Sequence, residues 1–206
     1  MKIFISIASY QDGLLEATIR SAYDKSDMPE NLIFGICDQS STPLNLDSFA
    51  FNSQIKYDHV HPFQSEGPCW ARSRIQEKFD DEEYYLQIDS HMQFDQSWDS
   101  YLIKYLEKIR SVKSDMHQLP IITCYPRSFD VIDLEDKKFE LNKNDTNTHT
   151  IAYREDAMFI KENFCRQIGS ITTKEISHGY LIAAGFLFST NEFVKQIPYD
   201  LSLIHI

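Results

Sequence analysis

The apolar positions of this chain follow two alternating patterns. Short runs rich in β-branched and aromatic residues predict strands that are buried on both faces. Between them, apolar residues recur every three or four positions, which predicts amphipathic helices. The predicted strands cover residues 2–8, 32–37, 54–60, 84–88 and 119–124. The predicted helices follow Asp12, extend over residues 67–79, and extend from a Ser97 cap to about Lys113.

This order of strands and helices defines the fold class. Strands that alternate with helices form βαβ units, so we predict an α/β fold with a mostly parallel sheet flanked by helices. Residues 129–177 carry little periodicity, and we expect a small irregular or β excursion there. Ligands bind beyond the carboxyl ends of the strands in such sheets. Asp12, Asp38 and Asp89 each follow a predicted strand, so this edge is the expected site.

Composition and charge narrow the range of partners. The chain has 206 residues, enough for one domain with a sizeable core. Its net charge of −11 disfavours nucleic acid, which is bound largely through Lys and Arg. No apolar run approaches the roughly 18–20 residues of a membrane span, and the first residues lack the features of a signal peptide. The four cysteines contain no CxxC pair, so we expect buried thiols in a reducing, cytoplasmic location.

The triplet Asp89-Ser90-His91 is the candidate metal site. Residues two apart in an extended chain face the same side, so the carboxylate and the imidazole can meet one cavity. That pair of donors suits Mn²⁺, Fe²⁺ or Zn²⁺. Two ligands do not complete a metal site, and a bound diphosphate could supply further oxygens. The alternative interpretation is a loop in which Asp89 caps the next element.

Arg72 is the candidate phosphate ligand. It lies in the stretch GPCWARSRI, together with Arg74. A helix that opens at Gly67-Pro68 has free N–H groups that attract anions, and an arginine can grip a phosphate with two hydrogen bonds. The alternative is a surface helix with solvated arginines.

Polar side chains at the ends of the first two strands are candidates for nucleotide binding. The hydroxyls of Ser6 and Ser9 can bond a nucleotide, and the Asp38 carboxylate can accept from ribose hydroxyls or a base edge. Turn and cap chemistry is the alternative, and it would by itself explain Asp12. His178 could orient a ligand or be a structural histidine.

Five stretches occur in an order that resembles a known family. They are FISIASYQD, CDQ, GPCWARSRI, YYLQIDSHMQFDQSWD and AAGFLFSTNEFVKQIPYD. Together they resemble the GT-A-fold polypeptide N-acetylglucosaminyltransferases, whose best-known type is the cytosolic enzyme that adds GlcNAc to a hydroxyproline. The resemblance covers residues 2–128 and 178–200. Its most specific element is the string that contains Asp89 and His91.

This resemblance implies a UDP-GlcNAc donor, a Mn²⁺ or Mg²⁺ ion, and transfer with retention at the anomeric carbon. It implies that Asp89 and His91 occupy the position of the metal- and diphosphate-binding motif, with Arg72 near the phosphates. The uridine site that it implies consists of Ser6, Ala8, Ser9, Tyr10 and Asp38. The backbone of Ala184, Gly185 and Phe186 would lie near the donor sugar.

The resemblance also implies a single GT-A-like domain over residues 1–206. Its nucleotide- and metal-binding half would be residues 1–128, and its donor-sugar and acceptor half residues 129–206. Family chains continue beyond the equivalent of PYD, whereas this one ends in LSLIHI, so we expect a C-terminally truncated chain with an incomplete second half. No catalytic residue is assigned. The acceptor, a protein, a glycan or a small molecule, stays open, as does the oligomeric state.

Other functions compete with metal-dependent GlcNAc transfer. A catalytically impaired remnant would bind the nucleotide sugar without turnover. A nucleotidyltransferase would carry a glycine-rich loop near the first strand, but SIASYQDG contains only Gly13. A structural or adaptor protein would not need Arg72 or acids at the ends of its strands.

Overall fold

The structure is a computed structural model that describes residues 1–111, 119–133, 138–142, 148–151, 169–172, 176–179 and 181–199. The chain forms two compact units. The first contains Met1–Ile122 and Phe188–Ile206, and the second contains Thr123–Leu187.

The helices and strands follow one another along the chain in a βα pattern at first and a β-rich pattern later. The strands are β1 (Ile3–Tyr10), β2 (Leu32–Gln39), β3 (Ile55–His59), β4 (Tyr84–Asp89), β5 (Ile121–Thr123), β6 (Phe129–Asp133), β7 (Lys138–Leu141), β8 (Thr148–Ile151), β9 (Gly169–Thr172) and β10 (Phe186–Thr190). The α-helices are α1 (Leu15–Asp24), α2 (Pro68–Gln76), α3 (Trp98–Ser111) and α4 (Asn191–Gln196).

A six-stranded sheet organises the first unit. Its strand order is β3-β2-β1-β4-β10-β5, and β1 pairs in parallel with both β2 and β4. The apolar run of β1 is buried almost throughout, as expected for a central strand with both faces covered. The predicted α/β class with a mostly parallel sheet is therefore confirmed.

Helix α2 packs against the sheet at Gly35. A Cβ atom at this position would lie 2.2 Å from Phe4 Cζ and 2.8 Å from Ile75 Cγ2, so the strand can hold only a glycine here without displacing its neighbours. Phe4 also stacks on Tyr85, with ring centroids 5.8 Å apart. This close approach matters for the site, because α2 carries Arg72.

Helix α3 is fixed to the segment that follows α1. Asp99, in its first turn, accepts hydrogen bonds from Ser26 Oγ (2.6 Å), Asp27 N (2.9 Å) and Met28 N (3.1 Å). Ser97, the predicted cap, has a φ of 65° and donates its hydroxyl hydrogen to Asp27 Oδ1 at 2.8 Å. These bonds set the path of the chain beyond β4.

The second unit contains two antiparallel strand pairs, β6 with β7 and β8 with β9. These pairs agree with the β excursion expected over residues 129–177. The helices in the described part of the chain are too short or too polar to cross a membrane.

Candidate functional site

The carboxyl ends of β2, β1 and β4 lie side by side at one edge of the sheet. In the strand register, Ala8 is opposite Cys37 on β2 and Asp89 on β4, and Ser9 is opposite Asp38. Residues that are far apart in the sequence are thereby placed in one row. This edge is where ligands bind in parallel α/β sheets.

Asp12 joins the end of β1 to the end of β4. Its Oδ2 atom lies 2.7 Å from Ser90 Oγ and 2.7 Å from His91 Nδ1, while its Oδ1 atom accepts from Leu14 N at 2.9 Å. Burial raises the pKa of Asp12, but the hydrogen bonds from Ser90, His91 and Leu14 lower it by more. The net pKa lies below its ordinary value, so Asp12 is ionised at neutral pH.

Helix α1 independently holds the turn that follows β4. Thr18 Oγ1 donates to Ser90 O at 2.7 Å and accepts from Met92 N at 2.8 Å. Phe94 N donates to Ser21 Oγ at 2.9 Å. The backbone that carries His91 is therefore positioned by the helix as well as by Asp12.

Arg72 and Asp89 meet at the same edge. The Arg72 guanidinium lies 3.3 Å from Asp89 Oδ1, and Arg72 is only 8% exposed. The Asp89 side chain is 43% exposed, so its carboxylate faces solvent on one side and the arginine on the other. The carboxylate is therefore the more accessible member of the pair.

The donor chemistry of Asp89 and His91 fits a divalent ion. The structure offers a carboxylate and an imidazole with exposed side chains, a set that suits Mn²⁺ or another first-row ion. Within the part of the chain that the structure describes, no cluster of three or more His, Cys, Asp and Glu side chains is placed to hold a metal.

A family comparison decides the class of this protein. The model of the family "Glycosyltransferase (GlcNAc)" matches residues 43–206. The chain belongs to this GlcNAc glycosyltransferase family. The match does not specify the hydroxyproline-modifying type that the sequence resembles, and a comparison with curated proteins gave no match.

Two solved structures of low sequence identity align with part of this chain. TarS 1–349 of S. aureus in complex with UDP-GlcNAc has a TM-score of 0.46 and 16% identity, over 60% of this chain and 34% of that chain. The mannosyltransferase PcManGT from Pyrobaculum calidifontis in complex with GDP-Man and Mn²⁺ has a TM-score of 0.44 and 14% identity, over 66% of this chain and 38% of that chain. This chain therefore spans little more than a third of either structure.

In this member of the glycosyltransferase family, the predicted uridine-site residues lie on β1 and β2. Ser6 is in the middle of β1, whereas the others are near the carboxyl ends of their strands: Ala8, Ser9, Tyr10 and Asp38. Ser6 and Ser9 are fully buried, whereas Tyr10 is 55% exposed. The Asp38 carboxylate accepts a hydrogen bond from Tyr57 Oη at 2.6 Å, and this bond and burial raise the Tyr57 pKa, burial contributing most. Ser9 on β1 is directly opposite Asp38 on β2. The role of these residues in nucleotide binding stays a prediction.

The predicted donor-sugar residues belong to the second unit. Ala184 and Gly185 form the turn that precedes β10, and Phe186 N donates to Ala183 O at 3.2 Å. Thr123 Oγ1 fixes this turn, because it accepts from Ala183 N and donates to Phe186 O, both at 2.8 Å. His178 is exposed in the same unit. The predictions for Cys165 and for the terminal LSLIHI lie outside the described residues.

Sequence reasoning missed two connections at the site. The contact of Asp12 with His91 was not predicted, although Asp12 is one of three acids that follow strands. Tyr199 was also missed: its hydroxyl donates a short hydrogen bond to Gln87 Oε1, and its N–H donates to Gln76 Oε1 at 3.1 Å. No local pattern indicates such a contact, because Tyr199 and Gln87 are 112 residues apart.

Proposed function

We propose that this protein transfers GlcNAc from UDP-GlcNAc to a hydroxyl of a protein, glycan or small-molecule acceptor. The observation that carries the proposal is the contact of Arg72 with Asp89 at the carboxyl end of β4, in a member of the GlcNAc glycosyltransferase family. The residues that would bind the sugar donor are those named from the sequence, on β1, on β2 and in the turn before β10.

Positive charge beside the leaving group favours sugar transfer. Cleavage of the bond between the sugar and the diphosphate places negative charge on the departing UDP, and fixed positive charge there lowers the barrier. Arg72 would supply it through its guanidinium, which Asp89 orients at the edge. Asp89 and His91 would hold a Mn²⁺ or Mg²⁺ ion, which would supply further charge neutralisation at the diphosphate.

The proposal has three further parts. The transfer would retain the anomeric configuration, the acceptor would be a hydroxyl such as that of hydroxyproline, and the protein would be cytoplasmic. They are drawn from the sequence motifs. The division into a nucleotide half, residues 1–128, and an acceptor half, residues 129–206, belongs to the proposal in the same way.

Calorimetry with UDP and with uridine tests the site. UDP should bind more tightly in the presence of Mn²⁺, and Asp89→Ala should remove that metal dependence. Arg72→Ala should weaken UDP binding by about tenfold or more, the loss of one or more charge-assisted hydrogen bonds, and leave uridine binding nearly unchanged. Equal losses for UDP and uridine would contradict the phosphate role of Arg72.

Arg74→Ala is the matched control on the same helix. Arg74 pairs with Asp58 at 2.7 Å and lies over the Trp70 ring, 5.0 Å from its centroid. Its guanidinium therefore has partners other than Asp89. Its replacement should leave UDP affinity close to that of the unmodified chain. A loss of UDP affinity as large as that in Arg72→Ala would mean that the affinity depends on overall positive charge and not on the position of Arg72.

Release of UDP from UDP-GlcNAc separates an enzyme from a binding remnant. Turnover or donor hydrolysis that requires Mn²⁺ and is lost in Asp89→Ala would support transfer. Donor binding with no UDP release, with any acceptor tried, would favour the remnant.

A further inference from the structure

The contact between Asp12 and His91 has a direction that the chemistry of the two groups determines. Asp12 Oδ2 lies 2.7 Å from His91 Nδ1. An ionised carboxylate can only accept hydrogen bonds, so the hydrogen must be on Nδ1. A neutral imidazole carries one ring hydrogen, and Nε2 is then left with its lone pair free. The contact with Asp12 therefore selects which nitrogen of His91 can bind a ligand.

The exposed fractions of the two side chains suit this role. The Asp12 side chain is 18% exposed and the His91 side chain is 57% exposed. The carboxylate is the more buried member of the pair, and the ring is the more exposed. The buried partner can thus hold one nitrogen of a ring whose remainder stays accessible.

The same contact is not required to hold the backbone turn. Thr18 makes hydrogen bonds to the backbone on both sides of His91, to Ser90 O and from Met92 N. Ser90 Oγ supplies a further bond to Asp12 Oδ2. Since these bonds fix the turn, the additional bond to the imidazole acts on the orientation of the ring itself.

We propose that Asp12 is a positioning residue that holds His91 in the Nδ1–H tautomer and directs Nε2 to the ligand at the edge of the sheet. A carboxylate behind a histidine has this effect on metal-binding histidines generally. The ligand, a divalent ion, rests on the function proposed above, whereas the tautomer does not. Asp12 is separated from His91 by 79 positions, and only the adjacency of β1 and β4 brings them together.

The tautomer is measurable in the metal-free protein. Long-range ¹H–¹⁵N spectra of the imidazole rings, recorded near pH 8 on ¹⁵N-labelled protein, distinguish Nδ1–H from Nε2–H, and a His91→Gln sample identifies the His91 signals. The unmodified chain should show Nδ1–H, which is not the form that histidine favours in water. An Nε2–H pattern in the unmodified chain would overturn the proposal, and this result does not depend on any variant's folding.

Two variants separate positioning from simple support of the turn. In Asp12→Asn, the amide can donate as well as accept, so the Nδ1–H preference should be lost. Ser90→Ala is the matched control, because it removes the other bond to Asp12 Oδ2 and leaves the bond to His91 in place. Retention of Nδ1–H in Asp12→Asn, or its equal loss in Ser90→Ala, would contradict the role of Asp12.

Calorimetric titration with Mn²⁺ alone completes the test. Affinity should fall by about 10- to 100-fold in Asp12→Asn, the usual effect of removing the partner of a metal-binding histidine, and by much less in Ser90→Ala. Unchanged Mn²⁺ affinity in Asp12→Asn would refute the proposal that Asp12 directs Nε2 of His91 to the ligand. Failure of the unmodified chain to bind Mn²⁺, with the Nδ1–H tautomer present, would instead refute the proposed metal and leave the positioning of His91 established.

Discussion

Removal of the Asp99 carboxylate should destabilise the fold substantially. Asp99 is 1% exposed and accepts hydrogen bonds from one hydroxyl and two backbone N–H groups, at 2.6, 2.9 and 3.1 Å. A hydrogen bond to a charged group contributes about 1.5–3 kcal/mol. Burial of the carboxylate costs part of that gain, and water can reach part of the segment from Ser26 to Met28 in the variant. We therefore expect Asp99→Ala to lower the free energy of unfolding by about 3 kcal/mol.

The effect should depend on pH in a defined direction. Burial raises the pKa of Asp99, but the hydrogen bonds lower it by more, so the folded-state pKa lies below the ordinary value of 3.8. A group with a depressed folded-state pKa contributes stability above its unfolded-state pKa and loses it as the pH falls through the folded-state value. The difference between the unmodified chain and Asp99→Ala should be full at neutral pH and shrink below about pH 4.

Urea unfolding followed by tryptophan fluorescence measures this difference. Trp98, next to Asp99, donates its indole N–H to Ala22 O at 2.9 Å and so reports on the same contact. Asp95→Ala is the control, because it removes a nearby carboxylate that is exposed and precedes the helix. Its loss should be below about 0.5 kcal/mol. Equal losses for the two variants, or a loss in Asp99→Ala that persists unchanged at low pH, would refute the reasoning.

Two further changes test other contacts. Gly35→Ala should cost at least about 1–3 kcal/mol in urea unfolding, because its methyl group would overlap Phe4 and Ile75. Gly179→Ala should be nearly neutral, because among the described residues its Cβ would come no closer than 3.9 Å, to Leu181 O. Similar losses for both variants would count against the packing argument. Tyr199→Phe should cost about 1 kcal/mol, because it removes the hydroxyl that bonds Gln87 and interacts with Arg72. No change in the unfolding midpoint would show that the hydroxyl contributes nothing to stability.

Local periodicity predicted the elements up to β5 closely, whereas β10 and α4 were not predicted. The strand expected over residues 84–88 is β4, Tyr84–Asp89, and the helix expected to end near Lys113 is described as far as Ser111. Periodicity works here because each element buries one local pattern of apolar residues. It fails for single polar side chains: Glu82 lies in an acidic run that looks solvated, yet it is 4% exposed and accepts from Lys56 Nζ at 3.2 Å. That partner comes from β3 and cannot be read from neighbouring positions.

By itself, the sequence determined the α/β class, the family, and the positions at which acids follow strands. Only the tertiary structure decided which of those acids meet. Asp12 reaches Ser90 and His91, while Asp38 is engaged by Tyr57. The physical reason is the strand order, in which β1 lies between β2 and β4: the turn after β1 comes next to the turn after β4, and the end of β2 lies beside β3. Hydrophobic periodicity specifies each strand, but the packing of the whole sheet selects its neighbours.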